Sequence, residues 1–354
     1  MFSLIQSQRW HLQVVDLTGD GVPDVAVSAT KHDSGGVTDR GAVLVWSGGA
    51  GLSGTPAPIV LVDPAAAANG LLEARWFEDV TGDGVVDVVT ASFNATVGGV
   101  AGVGRALVWS GGPGLLAVPG PTATLEAPGH SNSLLLGSEP LATAYADFDE
   151  DGARDIVLAT PYATVGGQTN AGAVFVWRGG ASLSGTVAPI ATLTSPAPSQ
   201  SDFLGRVDHP QTPLLTADVT GDGRVDLVVV NHRARVSGQP SAGRVYVWSG
   251  ATLNGPPAPI AELRSQNPQA SEYLGGDNAT YGGSGVLHLV DLSGDGTLDV
   301  VASTRRGSPG GVSEAGFVLE WAGGVGLGGV PAPRATWTIP GAQPQDWLGF
   351  LRYP

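Results

Sequence analysis

The nine-residue segment DLTGDGVPD at residues 16–24 recurs four more times and decides the architecture of this chain. The copies are DVTGDGVVD from Asp79, DFDEDGARD from Asp147, DVTGDGRVD from Asp218 and DLSGDGTLD from Asp291. One structural unit is therefore used five times.

Each copy is followed by a Trp and three Gly at constant places. In the first copy these are Gly36, Gly41, Trp46 and Gly48, and the same residue types stand at the same distances from the first Asp in the other four. Only the stretch between the Trp and the next nonamer varies in length. Each repeat therefore consists of a segment of constant length followed by a segment of variable length.

Each repeat predicts four β-strands and no amphipathic helix. Strand one is the apolar run before the nonamer, strand two the β-branched run after it, strand three the run ending at the Trp, and strand four an APIV-like run. Four short antiparallel strands repeated in this way predict an all-β fold, a β-propeller with five visible blades. The nonamer then connects strand one to strand two. A Pro at the head of strand four is typical of an edge strand.

The domain organisation follows from the same period. We expect a single propeller domain over residues 1–354, with units at about 1–62, 63–130, 131–201, 202–271 and 272–345. Residues 346–354 would start or close a further blade, so a longer ring of six or seven blades stays open as an alternative.

The nonamer has the chemistry of a cation-binding loop. Carboxylates stand at positions 1, 5 and 9, a carboxylate or hydroxyl at position 3, and Gly at position 6. Ca²⁺ takes roughly six to eight oxygen ligands, and the Gly permits the sharp turn that such a loop needs. Simple β-turns are the alternative interpretation, which fivefold repetition disfavours. The prediction is about five structural Ca²⁺ ions, held by the side chains at positions 1, 3, 5 and 9 and the backbone carbonyl at position 7.

The ligands predicted in the five loops are, in chain order, Asp16, Thr18, Asp20, Val22, Asp24; Asp79, Thr81, Asp83, Val85, Asp87; Asp147, Asp149, Asp151, Ala153, Asp155; Asp218, Thr220, Asp222, Arg224, Asp226; and Asp291, Ser293, Asp295, Thr297, Asp299. The third loop has one more carboxylate than the others, so we expect it to bind Ca²⁺ most tightly.

Composition excludes several classes of protein. The chain has 32 acidic against 17 basic residues and a formal charge of −15, which excludes a nucleic-acid binder because phosphates require clustered Lys and Arg. No run approaches the roughly 18 apolar residues of a membrane helix, so membrane insertion is not expected. The absence of Cys excludes disulfides and Cys-based zinc sites.

With these motifs the chain resembles the FG-GAP repeats of integrin-α-like propellers. The matching elements are the DxTGDGxxD loops, the strands GAVLVW at 41–46 and GAVFVW at 172–177, and FLG-like starts at 203–205, 273–275 and 347–349. The resemblance implies a β-propeller with structural Ca²⁺ in its acidic loops, in extracellular or cell-surface proteins used for adhesion or recognition; an export signal would lie outside this chain. Such propellers often carry Asp or Asn at the third ligand position. Thr18, Thr81, Thr220 and Ser293 depart from that pattern, so direct binding by these oxygens stays open.

The predicted binding surface is the blade end opposite the calcium loops. The connections from strand two to strand three, and from strand four to the next strand one, meet there and diverge in sequence, as recognition loops do. We expect a protein or glycan ligand on this face.

No G-x-S-x-G, P-loop or H-E-x-x-H motif is present, so the chain is expected not to be an enzyme. The six histidines share no spacing and are expected on the surface or in loops. The repeated Trp favours core packing over a ligand-stacking ring. Two alternatives stay open, the propeller domain of a secreted polysaccharide- or lipid-acting enzyme and a purely structural segment of a larger surface protein.

Overall fold

The computed structural model describes residues 12–50, 52–117, 120–129, 133–139, 142–206, 213–276 and 287–348. Within these ranges the regular structure consists of β-strands and three short 3₁₀ helices, Pro113–Ala117, Gly250–Thr252 and Pro309–Gly311. None of these helices is long and apolar enough to cross a membrane. The prediction of an all-β fold is confirmed.

The described strands, in chain order, are β1 (Leu12–Val15), β2 (Asp24–Ala29), β3 (Ala42–Trp46), β4 (Ile59–Leu61), β5 (Leu72–Glu78), β6 (Asp87–Ser92), β7 (Arg105–Trp109), β8 (Ala123–Leu125), β9 (Thr143–Ala146), β10 (Asp155–Thr160), β11 (Ala173–Trp177), β12 (Gly185–Val187), β13 (Ala191–Leu193), β14 (Leu214–Ala217), β15 (Asp226–Asn231), β16 (Arg244–Trp248), β17 (Ala261–Leu263), β18 (Leu287–Val290), β19 (Asp299–Thr304), β20 (Phe317–Trp321) and β21 (Ala335–Trp337).

These strands form five sheets, each built on four strands that are consecutive in the chain except in the third sheet, where β12 intervenes. We call each sheet a blade. The strand orders are β1-β2-β3-β4, β5-β6-β7-β8, β9-β10-β11-β13, β14-β15-β16-β17 and β18-β19-β20-β21, with β12 added to the second sheet beside β8. The five predicted four-stranded blades are therefore confirmed, with strand four at a sheet edge as expected in all but the second blade. β12 lies outside the predicted pattern.

The middle strands of the second and third blades, and β15 of the fourth, are buried on both faces. Every residue of β6, β7, β10, β11 and β15 is buried. A strand covered on both faces needs a continuous apolar run instead of alternation, which explains sequences such as DLVVVN in β15.

The Trp that ends strand three belongs to this core. Trp109, Trp177, Trp248 and Trp321 are at most 1% exposed. The indole Nε1 of Trp177 donates to the carbonyl of Val187, and that of Trp248 donates to the carbonyl of Pro257. Core packing is confirmed for these four residues, and their burial excludes a ligand-stacking role.

The chain packs as two compact units. The first comprises Met1–Pro140, Glu150–Leu158 and Phe175–Ile190, and its core joins residues of the first two blades, among them Val45 and Leu107. The second comprises Leu141–Asp149, Ala159–Val174 and Ala191–Pro354, and its core joins the last two blades, with Val247 and Leu319 among its members.

Successive repeats touch at Gly41 and its equivalents, which we call the junction Gly. A Cβ on Gly41 would lie 2.2 Å from the backbone nitrogen of Leu72, and the same clash, below 3 Å, recurs for the other copies. Only Gly allows this approach of two backbones, which accounts for its constant place. The pairs are Gly41–Leu72, Gly104–Leu136, Gly172–Leu204, Gly243–Leu274 and Gly316–Leu348.

Strand four is covered by a loop from the following blade. β12 pairs in parallel with β8, and single parallel bridges join Ala191 to Gly255 and Ala261 to Gly329. Thr192 N–H donates to the carbonyl of Gly255 at 2.8 Å. We call these contacts the edge straps. They occupy the open hydrogen-bonding edge on which foreign strands would otherwise pair.

Candidate metal-binding loops

All five nonamers lie where the sequence predicts, between strand one and strand two of a blade. A short turn at this point brings positions 1 to 9 into one loop, so the predicted ligands of each set share one end of a blade. The loops are held by a repeated set of hydrogen bonds from backbone N–H groups to the Asp side chains.

The carboxylates at positions 1 and 5 shape the exposed part of the loop. Asp16 Oδ1 accepts the N–H of Gly19 at 2.7 Å, and its Oδ2 accepts the N–H of Gly21 at 2.8 Å. Asp20 Oδ1 accepts the N–H of Val22 at 2.8 Å. A carboxylate has about four lone pairs, so these oxygens keep capacity for a cation. The position 1 pattern recurs at Asp79, Asp218 and Asp291, and the position 5 pattern recurs at Asp83, Asp151, Asp222 and Asp295.

The Asp at position 9 has a structural role that the sequence prediction missed. Asp24 is fully buried, its Oδ2 accepts the N–H groups of Leu17 and Thr18 at 2.8 Å, and its Oδ1 accepts the N–H of Gly48 at 2.8 Å. We call Gly48 and its equivalents the anchor Gly. Position 9 therefore ties its own loop to the end of strand three. The same bond from the anchor Gly reaches Asp87, Asp155, Asp226 and Asp299, all fully buried.

The anchor Gly is the sequence signal from which the contact could have been inferred. A Cβ on Gly48 would lie 2.2 Å from the carbonyl oxygen of Pro23, the residue before Asp24. The distance is 1.9 Å between Gly250 and the carbonyl of Val225. The invariant spacing of this Gly and the ninth Asp marks a close approach of the two backbones.

Position 3 differs among the loops. The hydroxyl oxygen of Thr18 is buried and has no hydrogen-bond partner, while Thr81 Oγ1 lies 3.4 Å from Asp87 Oδ1. The hydroxyl of Ser293 donates to Asp291 Oδ1 at 3.3 Å. An oxygen left without a partner inside an acidic loop fits a cation ligand, because burying it unpaired costs free energy.

The third nonamer has the densest carboxylates. One carboxylate oxygen from each of Asp147, Asp149 and Asp151 lies within 4.8 Å of the other two. Among the described residues, no other group of three acidic or metal-ligating side chains lies this close together. The extra carboxylate at position 3, Asp149, is what distinguishes this segment from the other four.

The residue at position 7 of one loop also packs against the Gly at position 4 of the preceding loop. A Cβ on Gly19 would lie 3.3 Å from Val85, and one on Gly82 would lie 3.1 Å from the Cβ of Ala153. In the second unit Gly221 faces Thr297 in the same way, at 3.6 Å. Residues 22 and 224 complete the position 7 set, and the N–H of each donates to the Asp at position 5.

Burial and hydrogen bonding act on these acids in opposite directions. Burial raises the pKa of Asp87 and Asp226, against the lowering effect of the backbone N–H groups of Gly111 and Gly250. The pKa of exposed Asp291 is lowered, chiefly by the N–H of Gly296. The N–H groups thus favour the ionised carboxylate that a cation needs.

One histidine corrects the sequence prediction. His32 and His288 are exposed, as expected, but His232 is fully buried after β15, with Nδ1 2.7 Å from the carbonyl of Arg206. A carbonyl partner for the ring compensates its burial. His11, His130 and His209 lie outside the described residues.

Comparison with known families identifies the repeats. Residues 9–46, 141–177 and 214–248 match the FG-GAP repeat. These segments hold the first, third and fourth nonamers together with the strands that follow them. No curated protein matches the chain.

Several solved structures resemble the chain weakly. A Bacillus licheniformis rhamnogalacturonan lyase, PL11, has 15% identity and a TM-score of 0.48, over 94% of this chain and 51% of its own. The exotype rhamnogalacturonan lyase YesX has 16% identity and a TM-score of 0.48, over 91% of this chain and 48% of its own. The chain thus spans about half the length of these enzymes. A likeness of this size carries no inference about activity.

Proposed function

We propose that this chain, which carries three FG-GAP repeats, is a calcium-stabilised module that binds a partner in the extracellular space or at the cell surface. The observation that carries the proposal is the repeated loop. In all five nonamers the Asp at position 5 accepts the N–H of position 7 and the Asp at position 9 accepts the N–H of the anchor Gly. The first nonamer also holds a buried hydroxyl, Thr18 Oγ1, without a partner.

The residues that would hold Ca²⁺ are those predicted from the sequence. Side chains at positions 1, 3 and 5 and the carbonyl at position 7 would supply most of the oxygens, with water completing a shell of roughly six to eight. The buried Asp at position 9 already accepts three N–H groups in the first loop, so a remaining lone pair would serve the ion. Bound Ca²⁺ would supply positive charge that offsets the mutual repulsion of the loop carboxylates.

The ions would contribute on the scale of the stability of a domain. With a Kd of about 10⁻⁴ M and about 1 mM calcium, one site stabilises the folded chain by about 1.4 kcal/mol. Five independent sites would contribute about 7 kcal/mol, comparable with a typical domain stability of about 5 to 15 kcal/mol.

Recognition is assigned to the opposite ends of the blades. Four hairpin tips there, between strands two and three, share one narrow turn, bridged at Ser34–Val37, Val97–Val100, Val165–Gln168 and Val236–Gln239. A rigid scaffold with divergent loops suits ligand binding. The proposal assigns no catalysis to the chain, and assays for lyase, hydrolase and lipase activity test that part of it.

The decisive experiment is a thermal melt of the whole chain in calcium and in excess chelator. We expect the melting temperature to fall by several degrees on chelation and to be restored by Ca²⁺ more fully than by Mg²⁺. Asp151→Ala should reduce the calcium response, whereas the matched control Asp33→Asn, an exposed acid outside the loops, should not. Equal melting temperatures with and without chelator would refute the calcium assignment.

A further inference from the structure

The segment between strand three and strand four, which we call the strap loop, joins the third, fourth and fifth blades to the blade before them. In the fifth blade the N–H of Gly329 donates to the carbonyl of Ile260, and the carbonyl of Gly329 accepts the N–H of Glu262, both at 2.7 Å. In the third blade the N–H of Gly185 donates to the carbonyl of Thr122 at 2.9 Å. A strap loop therefore pairs with the strand-four edge of another blade through its backbone.

The first blade carries a strap loop of nearly the same sequence and conformation. LSGTPAPI at residues 52–59 differs from LSGTVAPI at residues 183–190 in one residue. Gly54 has a φ of 68°, and Gly185, which pairs with the second blade, has a φ of 66°. No blade precedes the first one within the described residues, so this loop has the form of an edge strap without an edge to cover there.

A tryptophan holds the strap loop of the first blade in this conformation. The indole Nε1 of Trp46 donates to the carbonyl of Pro56 at 3.0 Å, and the same bond joins Trp177 to the carbonyl of Val187 in the third blade. Residues 52–57 are nevertheless exposed. Because the loop is already ordered as a strap, it loses little conformational freedom when an edge pairs with it.

The strap loop also carries a leucine that is buried in the later blades. Leu183, Leu253 and Leu327, each two residues before the Gly of its strap loop, are buried. Leu327 belongs to the same core cluster as Val219, the residue at position 2 of the preceding nonamer. Leu52 at the equivalent place of the first blade is 45% exposed. The first strap loop thus presents to solvent an apolar side chain that its counterparts bury.

The fifth blade leaves a matching edge open. β21 is the last strand of its sheet, and within the described part of the chain no strap bridge reaches it. Trp337 on this strand is 43% exposed, whereas Leu125, Leu193 and Leu263 at the equivalent places are fully buried. The strand-four edge that a strap loop covers in three other blades is therefore available for pairing here.

A second contact between consecutive blades is also open at these two blades. Elsewhere the N–H of the Gly three residues after the Trp donates to the carbonyl of nonamer position 2 in the preceding blade, at 2.8 to 2.9 Å, in the pairs Gly112–Leu17, Gly180–Val80 and Gly324–Val219. The position 2 side chains of these pairs are fully buried, but Leu292 in the fifth blade is 50% exposed. The equivalent Gly of the first blade, Gly49, is exposed as well.

The packing between consecutive nonamers shows the same pattern. The Gly at position 4 of one loop receives the position 7 side chain of the next loop, as Gly82 receives Ala153. Nothing lies within 4 Å of a Cβ placed on Gly294, and Val22 at position 7 of the first loop is exposed. Three kinds of contact are thus open on one side in the first blade and on the other side in the fifth.

We propose that the first blade of one copy of this chain docks onto the fifth blade of a second copy, with its strap loop paired to β21. The register of β12 on β8 places Gly54 opposite Ala335 and Thr55 opposite Thr336. A second copy is the partner because it carries the matching half of every contact and because both halves are exposed in a single chain. The interface is heterologous, so each added copy leaves one strap loop and one edge free, and assembly continues beyond the dimer.

Disulfide crosslinking tests this register, because the chain has no Cys of its own and opposite residues of adjacent strands lie within reach of a disulfide. Thr55→Cys and Thr336→Cys variants, both at exposed positions, are mixed in calcium and oxidised. We expect a covalent dimer in the mixture and none from either variant alone. A chain that carries both changes should give a ladder of multimers. Thr38→Cys, at an exposed Thr between β2 and β3, is the matched control, and its mixture with Thr336→Cys should give only the background of random collisions.

Sedimentation velocity of the unmodified chain measures the association itself. The negative charge of the chain opposes self-association, so the runs are made in calcium at about 0.15 M salt, where the Debye length is about 8 Å. We expect an average mass that rises with concentration beyond that of a dimer. Trp337→Lys should weaken the association about tenfold, whereas Leu116→Lys, which changes an exposed apolar residue of the second blade, should leave it within about twofold.

Four results would overturn the proposal: a chain that stays monomeric at its highest soluble concentration, equal association of Trp337→Lys and the unmodified chain, a dimer formed by Thr336→Cys alone, or a disulfide between residues 55 and 336 of the same chain. Thermal melts of each variant separate a lost contact from misfolding, since a variant that melts like the unmodified chain has lost the contact alone.

Discussion

The N–H of Gly250 donates to Oδ1 of Asp226 at 3.1 Å and so joins the end of strand three to the acidic loop that precedes strand two. Asp226 also accepts the N–H groups of Val219 and Thr220 at 3.0 and 2.9 Å. One buried carboxylate thereby closes its own loop and fixes it to the neighbouring strand.

Gly250→Ala should strongly destabilise the chain. The new Cβ would lie 1.9 Å from the carbonyl oxygen of Val225, so the backbone must move and the bond to Asp226 weakens. We expect a loss of about 2 to 4 kcal/mol in the free energy of unfolding, measured by denaturant titration. Gly114→Ala is the control, since nothing lies within 4 Å of its Cβ position. Equal stability of the two variants would contradict the close approach.

Positions 9 and 5 of one loop should respond differently to chelator. Asp226→Asn replaces an acceptor of three buried N–H bonds, so we expect it to cost about 1 to 3 kcal/mol even in excess chelator. Asp222→Asn, at the exposed position 5, should cost little in chelator and lose stability chiefly through weaker calcium binding. Melts of both variants with and without calcium check this, and identical behaviour would show that position 9 has no separate structural role.

Glu272 should make the chain less stable as the pH rises. Burial raises the pKa of Glu272 from 4.5 to about 7, so the folded chain binds more protons than the unfolded chain between these values. Stability from this group is therefore greatest below about pH 4.5, falls as the pH rises to about 7 and stays low above it. Glu272→Gln should remove this slope and raise stability at pH 8, on the order of 1–3 kcal/mol.

The control for this pH effect is Asp346→Asn. Asp346 accepts the N–H of Gln343 at 2.7 Å, as Glu272 accepts that of Gln269, but it is exposed. Chemical denaturation across the pH range should show a changed slope for Glu272→Gln alone. An unchanged slope for that variant would contradict a buried, protonated Glu272.

The ion pair between Asp63 and Arg105 should show strong coupling. Arg105 donates to both oxygens of Asp63 at 2.8 Å, and both side chains are buried. Removing either partner leaves an uncompensated charge, so Asp63→Ala and Arg105→Ala should each cost about 3 to 5 kcal/mol. The double variant should cost less than the sum of the two, because Ala127 and Ala173 occupy the equivalent positions one blade later. Additive costs in a double-mutant cycle would contradict the pairing.

The sequence predicts the parts of the fold that lie within one repeat. The four strands and the place of the nonamer follow from the periodicity of residues such as 16–46, because pairing between consecutive strands depends on local spacing. The predicted burial of the Trp in strand three holds for Trp109, Trp177, Trp248 and Trp321, whereas Trp46 in the first blade is only half-buried. The calcium ligands stay a prediction.

Contacts between repeats could not be predicted in this way. β12 pairs with β8, about 60 residues earlier, through the short segment GTV, and the first copy has the similar sequence GTP at residues 54–56 without forming a strand there. The burial of His232 depends on Arg206 in the segment that leads into strand one of its blade. The spacing of residues within one repeat therefore cannot predict either contact. The constant positions of the junction Gly and the anchor Gly, in contrast, do indicate a close approach of two backbones.

The edge straps impose an order on synthesis. The strand-four edges at β8, Ala191 and Ala261 are each covered by a loop that the ribosome makes dozens of residues later. During translation each of these three blades therefore keeps an unpaired strand-four edge until the following blade has been made. A stop codon within a repeat would therefore also affect the preceding blade, because the loop that covers its strand-four edge would not be made.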